Sequence, residues 1–154
     1  LHNDPVIRRA GPEDVDSITA LVHDAYAPYI PRIGRKPAPM LDDYRQVVAQ
    51  PGTFVLTDAG QVVGVLVMIV EGDGLLLENI AVAPGFKGKG GGKRLMAFCE
   101  EYALSNGCHA VRLYTHERMV ENVEIYTRLG YRETHRATEN GFARVFMCKV
   151  LGVE

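Results

Sequence analysis

The sequence predicts an α/β (α+β) fold: a mixed, mostly antiparallel central sheet of about seven strands flanked by helices, forming one domain over residues 1–154. Three observations lead there. Short apolar runs with strand patterning recur between glycine-rich turns, three of them follow one another with no helix between, and helical periodicity is confined to the segments that separate the remaining strands. With 154 residues, 47% of them hydrophobic and 23% charged, the chain can bury a core without disulfides or a metal. No internal repeat, low-complexity tract or linker divides it.

Residues 6–10 read as the first strand. Gly11-Pro12-Glu13-Asp14 then starts a helix, with proline in its first turn and carboxylates at its positive end, and Val15, Ile18, Leu21 and Val22 recur at helical spacing. Four prolines and one glycine between residues 27 and 40 leave no regular element there. A short helix over about 41–49 follows and stops at Pro51-Gly52. Residues 53–57, 61–70 and 75–82 form an antiparallel meander with turns at Asp58-Ala59-Gly60 and Glu71-Gly72-Asp73-Gly74. A helix starting near Gly90 carries Leu95, Cys99 and Tyr102 on its buried stripe and ends at Asn106-Gly107. The tail is a strand over 110–115, a helix over 117–129 closed by Gly130, and a strand pair over 131–137 and 144–151 around Asn140-Gly141.

Seventeen Lys and Arg against nineteen Asp and Glu give a net charge of -2, which argues against a surface built for nucleic acid or an anionic membrane. Cys99, Cys108 and Cys148 form no CxxC pair and cannot all bridge within one chain, so a reducing, cytoplasmic compartment is expected. The longest apolar run, 62–70, is too short to span a bilayer, and the first residues lack a basic stretch followed by an apolar one, so neither export nor a membrane is expected. The histidines 2, 23, 109, 116 and 135 have no metal-ligand spacing, and no metal site is expected.

One local feature stands apart from this balance. Five of the sixteen glycines fall between Gly85 and Gly92, interleaved with Lys87 and Lys89 and followed by Lys93. Glycines between a strand and a helix leave backbone amides bare at the positive end of the helix, and lysines beside them add charge. The donors are several and spread along the loop, which suits a pyrophosphate better than a single carboxylate. Two common phosphate signatures fail on spacing. A P-loop ending at Gly92-Lys93 needs glycine where Lys87 stands, and G-x-G-x-x-G started from Gly88 or Gly90 meets Lys93 or Leu95 in its last place. Lys87-Gly88-Lys89-Gly90-Gly91-Gly92 does fit Q/R-x-x-G-x-G/A with lysine in the first place, directly after Ile80-Ala81-Val82-Ala83-Pro84.

On this strand, loop and helix, and as far as Tyr131, the sequence resembles the GNAT superfamily of acyl-CoA-dependent N-acetyltransferases. The resemblance implies that acetyl-CoA is the cosubstrate, its pyrophosphate held by Lys87, Gly88, Lys89, Gly90, Gly91, Gly92 and Lys93 and its pantetheine arm beside Ile80, Ala81 and Val82. A second stretch, Met119 to Tyr131, looks like the family's later helix, ending Y-x-x-x-G-[FY]. There a tyrosine in the place of Tyr126 lies near the CoA sulfur and protonates the leaving thiolate; the other reading of Tyr126 is a core residue beside Ile125 and Leu129. Many members carry asparagine seven residues before that tyrosine, and here Met119 stands there. Asn122 lies on the helical face of Tyr126 and either bonds to the cofactor or is a solvated helix residue.

Transfer to an amine needs the neutral amine, which for a pKa of about 10.4 costs about 4.6 kcal/mol at pH 7. Glu78, between Leu77 and Ile80 on the strand before the loop, is the candidate base, directly or through a water it holds, because burial raises a carboxyl's pKa toward neutrality. Some relatives place the base on the following strand, where this sequence has Tyr114. His116 beside it lines the cleft or caps the strand, and Cys99 packs in the core rather than acting as a nucleophile. Tyr26, Tyr29, Arg32, Arg35, Asp42, Asp43 and Tyr44, in and around the proline-rich segment, are the candidate acceptor wall for a small-molecule or peptide amine. A homodimer is kept as the assembly to test. The competing class is a non-catalytic acyl-CoA-binding or regulatory module. A nucleic-acid binder is disfavoured because no basic face extends beyond the loop.

Overall fold

The computed structural model describes residues 5–152. Its strands are β1 (Val6–Arg9), β2 (Thr53–Asp58), β3 (Gln61–Glu71), β4 (Gly74–Val82), β5 (Ala110–His116), β6 (Arg132–Glu139) and β7 (Phe142–Val150). They form one sheet in the order β1-β2-β3-β4-β5-β7-β6. The pairs β1–β2, β2–β3, β5–β7 and β6–β7 are antiparallel, whereas β4–β5 is parallel. A parallel pair needs a crossover, and the long helix between these two strands supplies it. The helices are α1 (Val15–Tyr26), α2 (Ile30–Ile33), α3 (Tyr44–Val48), α4 (Gly91–Ser105) and α5 (Val120–Arg128). Two hairpins close as the turn residues predict: Ala59 and Gly60 have φ of 51° and 81°, Asn140 and Gly141 of 53° and 80°, the left-handed pair a two-residue turn requires.

The chain divides into two compact units, one made of the residues up to Met68 with Asn79–Cys99, the other of Ile69–Glu78 with the residues from Glu100 onward. In the first unit, alternate residues of β2 and β3 face opposite ways. Val55, Val65 and Val67 join Ile18, Leu21 and Val22 of α1 and Tyr44 and Val48 of α3 in one buried cluster. On the other face, α4 approaches so closely that a Cβ at Gly64 would lie 3.1 Å from both Leu56 Cβ and Leu95 Cδ1. Phe54 and Phe98 meet there with ring centroids 4.8 Å apart. In the second unit, Val111 and Leu113 of β5 and Val145 and Met147 of β7 are buried, while Arg112, Tyr114, Arg144 and Phe146 occupy the opposite, more exposed face. Tyr131 is buried, and its hydroxyl donates to Glu100 at 3.2 Å, whose carboxylate also takes Lys149 Nζ at 2.9 Å.

Four expectations are corrected. The segment from 27 to 40 is not irregular: it holds 3-10 turns at Ala27–Tyr29 and Ala38–Leu41 and the single turn α2. The reason is proline placement, since Pro28, Pro31 and Pro39 each fall in a first turn, where the missing N–H costs no helical bond. The helix expected over 41–49 is confined to α3, because Asp43 caps it by accepting from Arg45 N at 3.0 Å. The helix expected from 117 starts at Val120, with Met119 buried against Thr115 at the turn before it. Tyr102, expected on the buried stripe of α4, is half-buried, while Leu95 and Cys99 are fully buried.

The entry to α1 depends on one buried carboxylate. Asp14 accepts from Gly11 N at 2.8 Å and takes Arg8 through both guanidinium nitrogens at 2.8 and 2.9 Å. The hydrogen bond from Arg8 holds the Asp14 carboxyl below the usual carboxylate range, against the opposing effect of burial. A carboxyl with a lowered folded pKa contributes stability above its ordinary pKa of about 4 and loses it as pH falls through the lowered value. Asp14→Ala is therefore expected to cost about 1–2 kcal/mol in urea unfolding at pH 7, and the loss relative to wild type should shrink below about pH 4.

Candidate functional site

A 3-10 turn at Pro84–Phe86 follows β4, and the chain then passes through Gly88 and Gly90, both at φ of 80°, before α4 starts at Gly91. Such φ values suit glycine, and Lys89 between them lays its Nζ 5.4 Å from the Phe86 ring centroid. Arg94 N donates to Gly90 O at 3.0 Å and opens the helical ladder, so the amides of Gly91, Gly92 and Lys93 have no intrahelical acceptor. The two glycines that begin the helix differ in their demands. A Cβ on Gly91 would lie 3.1 Å from Phe86 Cδ2 and 3.2 Å from Leu56 Cδ2, whereas a Cβ on Gly92 would meet nothing within 4 Å. Gly92 is helical and needs neither a left-handed backbone nor close packing, yet glycine costs about 1 kcal/mol against alanine inside a helix. The space beside its Cα stays open. Lys87, Lys89 and Lys93 are all exposed around it.

Two of the candidate tyrosines, Tyr26 and Tyr44, meet at β4. Tyr26, at the end of α1, donates from its hydroxyl to Asn79 Oδ1 at 2.7 Å and to Ile80 O at 3.1 Å. Asn79 Nδ2 donates to the Tyr44 hydroxyl at 3.2 Å, and Tyr44 donates to Pro39 O at 2.6 Å. The chain of bonds ties α1, the proline-rich segment and α3 to the middle of β4. Ala81 is buried, while Ile80 and Val82 are half-buried. Tyr29 packs 6.5 Å from Tyr26 between ring centroids, and the Arg32 guanidinium lies 5.1 Å from the Tyr29 ring centroid. Asn79 was missed by the sequence reading; the signal for it was a lone amide in an otherwise apolar strand, which when buried must find partners.

In the second unit the parallel ladder between β4 and β5 runs from Gly74↔Ala110 to Leu77↔Leu113 and stops, while β4 continues to Val82 and β5 to His116. Alternation places Glu78 and Tyr114, both half-buried, on the face opposite buried Leu77 and Leu113. Tyr126 is half-buried on α5, its ring centroid 6.0 Å from that of buried Tyr131, beside Ile125, which is 49% exposed. That exposure weakens the reading of Tyr126 as one of a packed apolar trio. The Asn122 amide turns toward Thr115 Oγ1, at 3.5 Å, and Met119 Sδ, at 3.6 Å. Burial lowers the pKa of His116, with Glu117 opposing, and its Nδ1 accepts from Arg118 N at 3.1 Å, so the ring is neutral at pH 7 with its proton on Nε2. Cys99 and Cys108 are buried packing residues. His2 lies outside the described residues. No described helix is long and apolar enough to cross a membrane.

Residues 18–131 match the acetyltransferase (GNAT) family. Among solved structures, the ribosomal-protein-S18-alanine N-acetyltransferase of Escherichia coli is 18% identical, with 97% of this chain and 96% of that one covered at a TM-score of 0.78. The PaiA N-acetyltransferase of Thermoplasma acidophilum, determined in complex with coenzyme A, is 14% identical, with 96% and 99% covered at 0.79. The IAA acetyltransferase of Bacillus cereus is 23% identical, with 96% and 100% covered at 0.71. These likenesses are likenesses of fold.

The unequal demands on the two helix-opening glycines give a stability test. Gly92→Ala should leave the fold unchanged or stabilise it by about 0.5–1 kcal/mol, whereas Gly91→Ala should destabilise it through contact with Phe86 and Leu56; thermal midpoints of the two variants check the difference in sign.

Proposed function

The chain belongs to the GNAT acetyltransferase family, and from that membership we propose that it is an acetyl-CoA-dependent N-acetyltransferase acting on a primary amine by direct attack in a ternary complex. The observation that carries the reading is the start of α4. Gly92 gives up helix stability with no packing or backbone reason, at a positive helix end whose first amides lack intrahelical acceptors and whose neighbouring lysines are exposed. Those donors fit a diphosphate. The edge of β4 at Ile80 and Val82 lies past the last pair with β5, which supports its use by the pantetheine arm. Acetyl-CoA supplies an acetyl group activated as a thioester.

The remaining steps fall to side chains of this chain. Glu78 takes the proton that makes the acceptor nitrogen nucleophilic, directly or through one water. The nitrogen bonds to the acetyl carbon as the carbon–sulfur bond breaks, the Tyr126 hydroxyl gives its proton to the departing sulfur, and the second proton that the nitrogen sheds on becoming an amide restores that hydroxyl through water. Tyr26, Tyr29 and Arg32 are the acceptor contacts we propose in the first unit, and Tyr114 the one in the second. The expected compartment is the cytoplasm.

Release of free thiol from acetyl-CoA across a panel of primary amines tests the reading; tight CoA binding with no release from any amine would leave only a non-catalytic acyl-CoA-binding module. Gly92→Ala should weaken CoA binding by about tenfold while its thermal midpoint does not fall, as titration calorimetry would read. Tyr126→Phe should lower kcat by about a hundredfold with CoA affinity unchanged. For Glu78→Gln, the acidic limb of the kcat/KM profile, where the wild-type base becomes protonated and activity falls, should disappear.

A further inference from the structure

Arg144, on β7, is an unusual cation for an outer sheet face because its side chain is only 13% exposed. Its Nη1 donates to Glu139 Oε1 at 2.7 Å. The guanidinium carbon lies 4.2 Å from the Tyr114 ring centroid and 5.8 Å from that of Phe142. Nε and Nη2 have no hydrogen-bond partner among the described residues, and no described side-chain nitrogen is both sealed from solvent and unpaired, so these two donors open to solvent. Water meets those two donors in the free protein, and a carboxylate that replaced it would find a guanidinium already largely desolvated and held by one partner. The guanidinium lies over the Tyr114 ring, and the edge left open, Nε with Nη2, is the fork that takes a carboxylate through two parallel bonds.

The placement of that fork matters. Arg144 pairs in register with His116, and Tyr114 with Phe146, so Arg144 and Tyr114 lie on the sheet face opposite buried Leu113, Val145 and Met147. Glu78 follows Leu77, which pairs with Leu113, and so lies on that same face. We propose that Arg144 is a specificity-determining residue for the acceptor, and that the chain acetylates primary amines that carry a carboxylate, held by the Nε and Nη2 edge while the amine lies on the Glu78 side. This rests on the acetyl-transfer reading above and leaves its bond changes as written there. Glu139, whose side chain is 50% exposed, is the counter-ion that holds Arg144 until the acceptor's carboxylate arrives.

The test uses matched probes: ω-amino acids from glycine to 6-aminohexanoate, α-amino acids, and the amine left when each loses its carboxyl group. Binding is read by saturation-transfer NMR on the full chain with CoA present, and turnover by thiol release. The expected result is that the carboxylated member of at least one pair binds better by about tenfold, that Arg144→Gln abolishes the difference without weakening the bare amine, and that Arg144→Lys restores part of it. Glu139→Gln, which removes the internal counter-ion, should strengthen carboxylate binding, an effect that a purely structural arginine would not give and that stands if Arg144→Gln does not fold. Equal binding within every pair, no binding by any probe, or a carboxylate preference untouched by both variants would overturn the proposal. Carboxylate-dependent binding with no thiol release from any probe would overturn acetyl transfer and leave the Arg144 site standing.

Discussion

The chemistry of the first unit depends on how closely α4 starts against β2 and β3. Gly64 and Gly91 remove the side chains that would hold the helix away, so that Leu56, Leu95 and Phe86 close around its first turn. Once the helix is fixed by that contact, the direction of its free amides is fixed as well, because the backbone that donates them is the backbone packed on the sheet. The glycines of the loop thus serve two ends. Gly91 makes room for Phe86 and Leu56, and Gly92 leaves open space at the first turn.

A second constraint is polar. Asn79 is buried in β4, and its amide is satisfied only because Tyr26 and Tyr44 reach it from α1 and α3. The proline-rich segment that joins those helices has little regular hydrogen bonding of its own, and Tyr44 returns to it through the Pro39 carbonyl. A loop-like stretch is thereby held to a strand that the sheet already holds rigid. This is the arrangement a binding wall requires, since residues on a segment so tied keep their positions when a ligand arrives.

Much of this was legible in the sequence, for identifiable reasons. The strands and hairpins followed from alternation and from Ala59-Gly60 and Asn140-Gly141, whose left-handed turns leave few alternatives. The glycine and lysine run was visible because it departs so far from the average composition of the chain. The proline-rich segment misled because proline density was read as disruption, when Pro28, Pro31 and Pro39 stand in first turns that tolerate proline and Pro37 stands just before one. Asn79 and Arg144 were missed for one shared reason. Their importance lies in partners 35 or more residues away for Asn79, and in a burial for Arg144 that charge alone would not predict. Sequence spacing reports local periodicity, and neither residue belongs to a local pattern.

The free amides at the start of α4 are the anion site we propose for coenzyme A. Backbone amide shifts of the nitrogen-15 labelled chain, followed during titration with coenzyme A, test this most directly. The largest changes are expected on Gly90, Gly91, Gly92 and Lys93. Saturable binding of coenzyme A that leaves those four amides unmoved would contradict it.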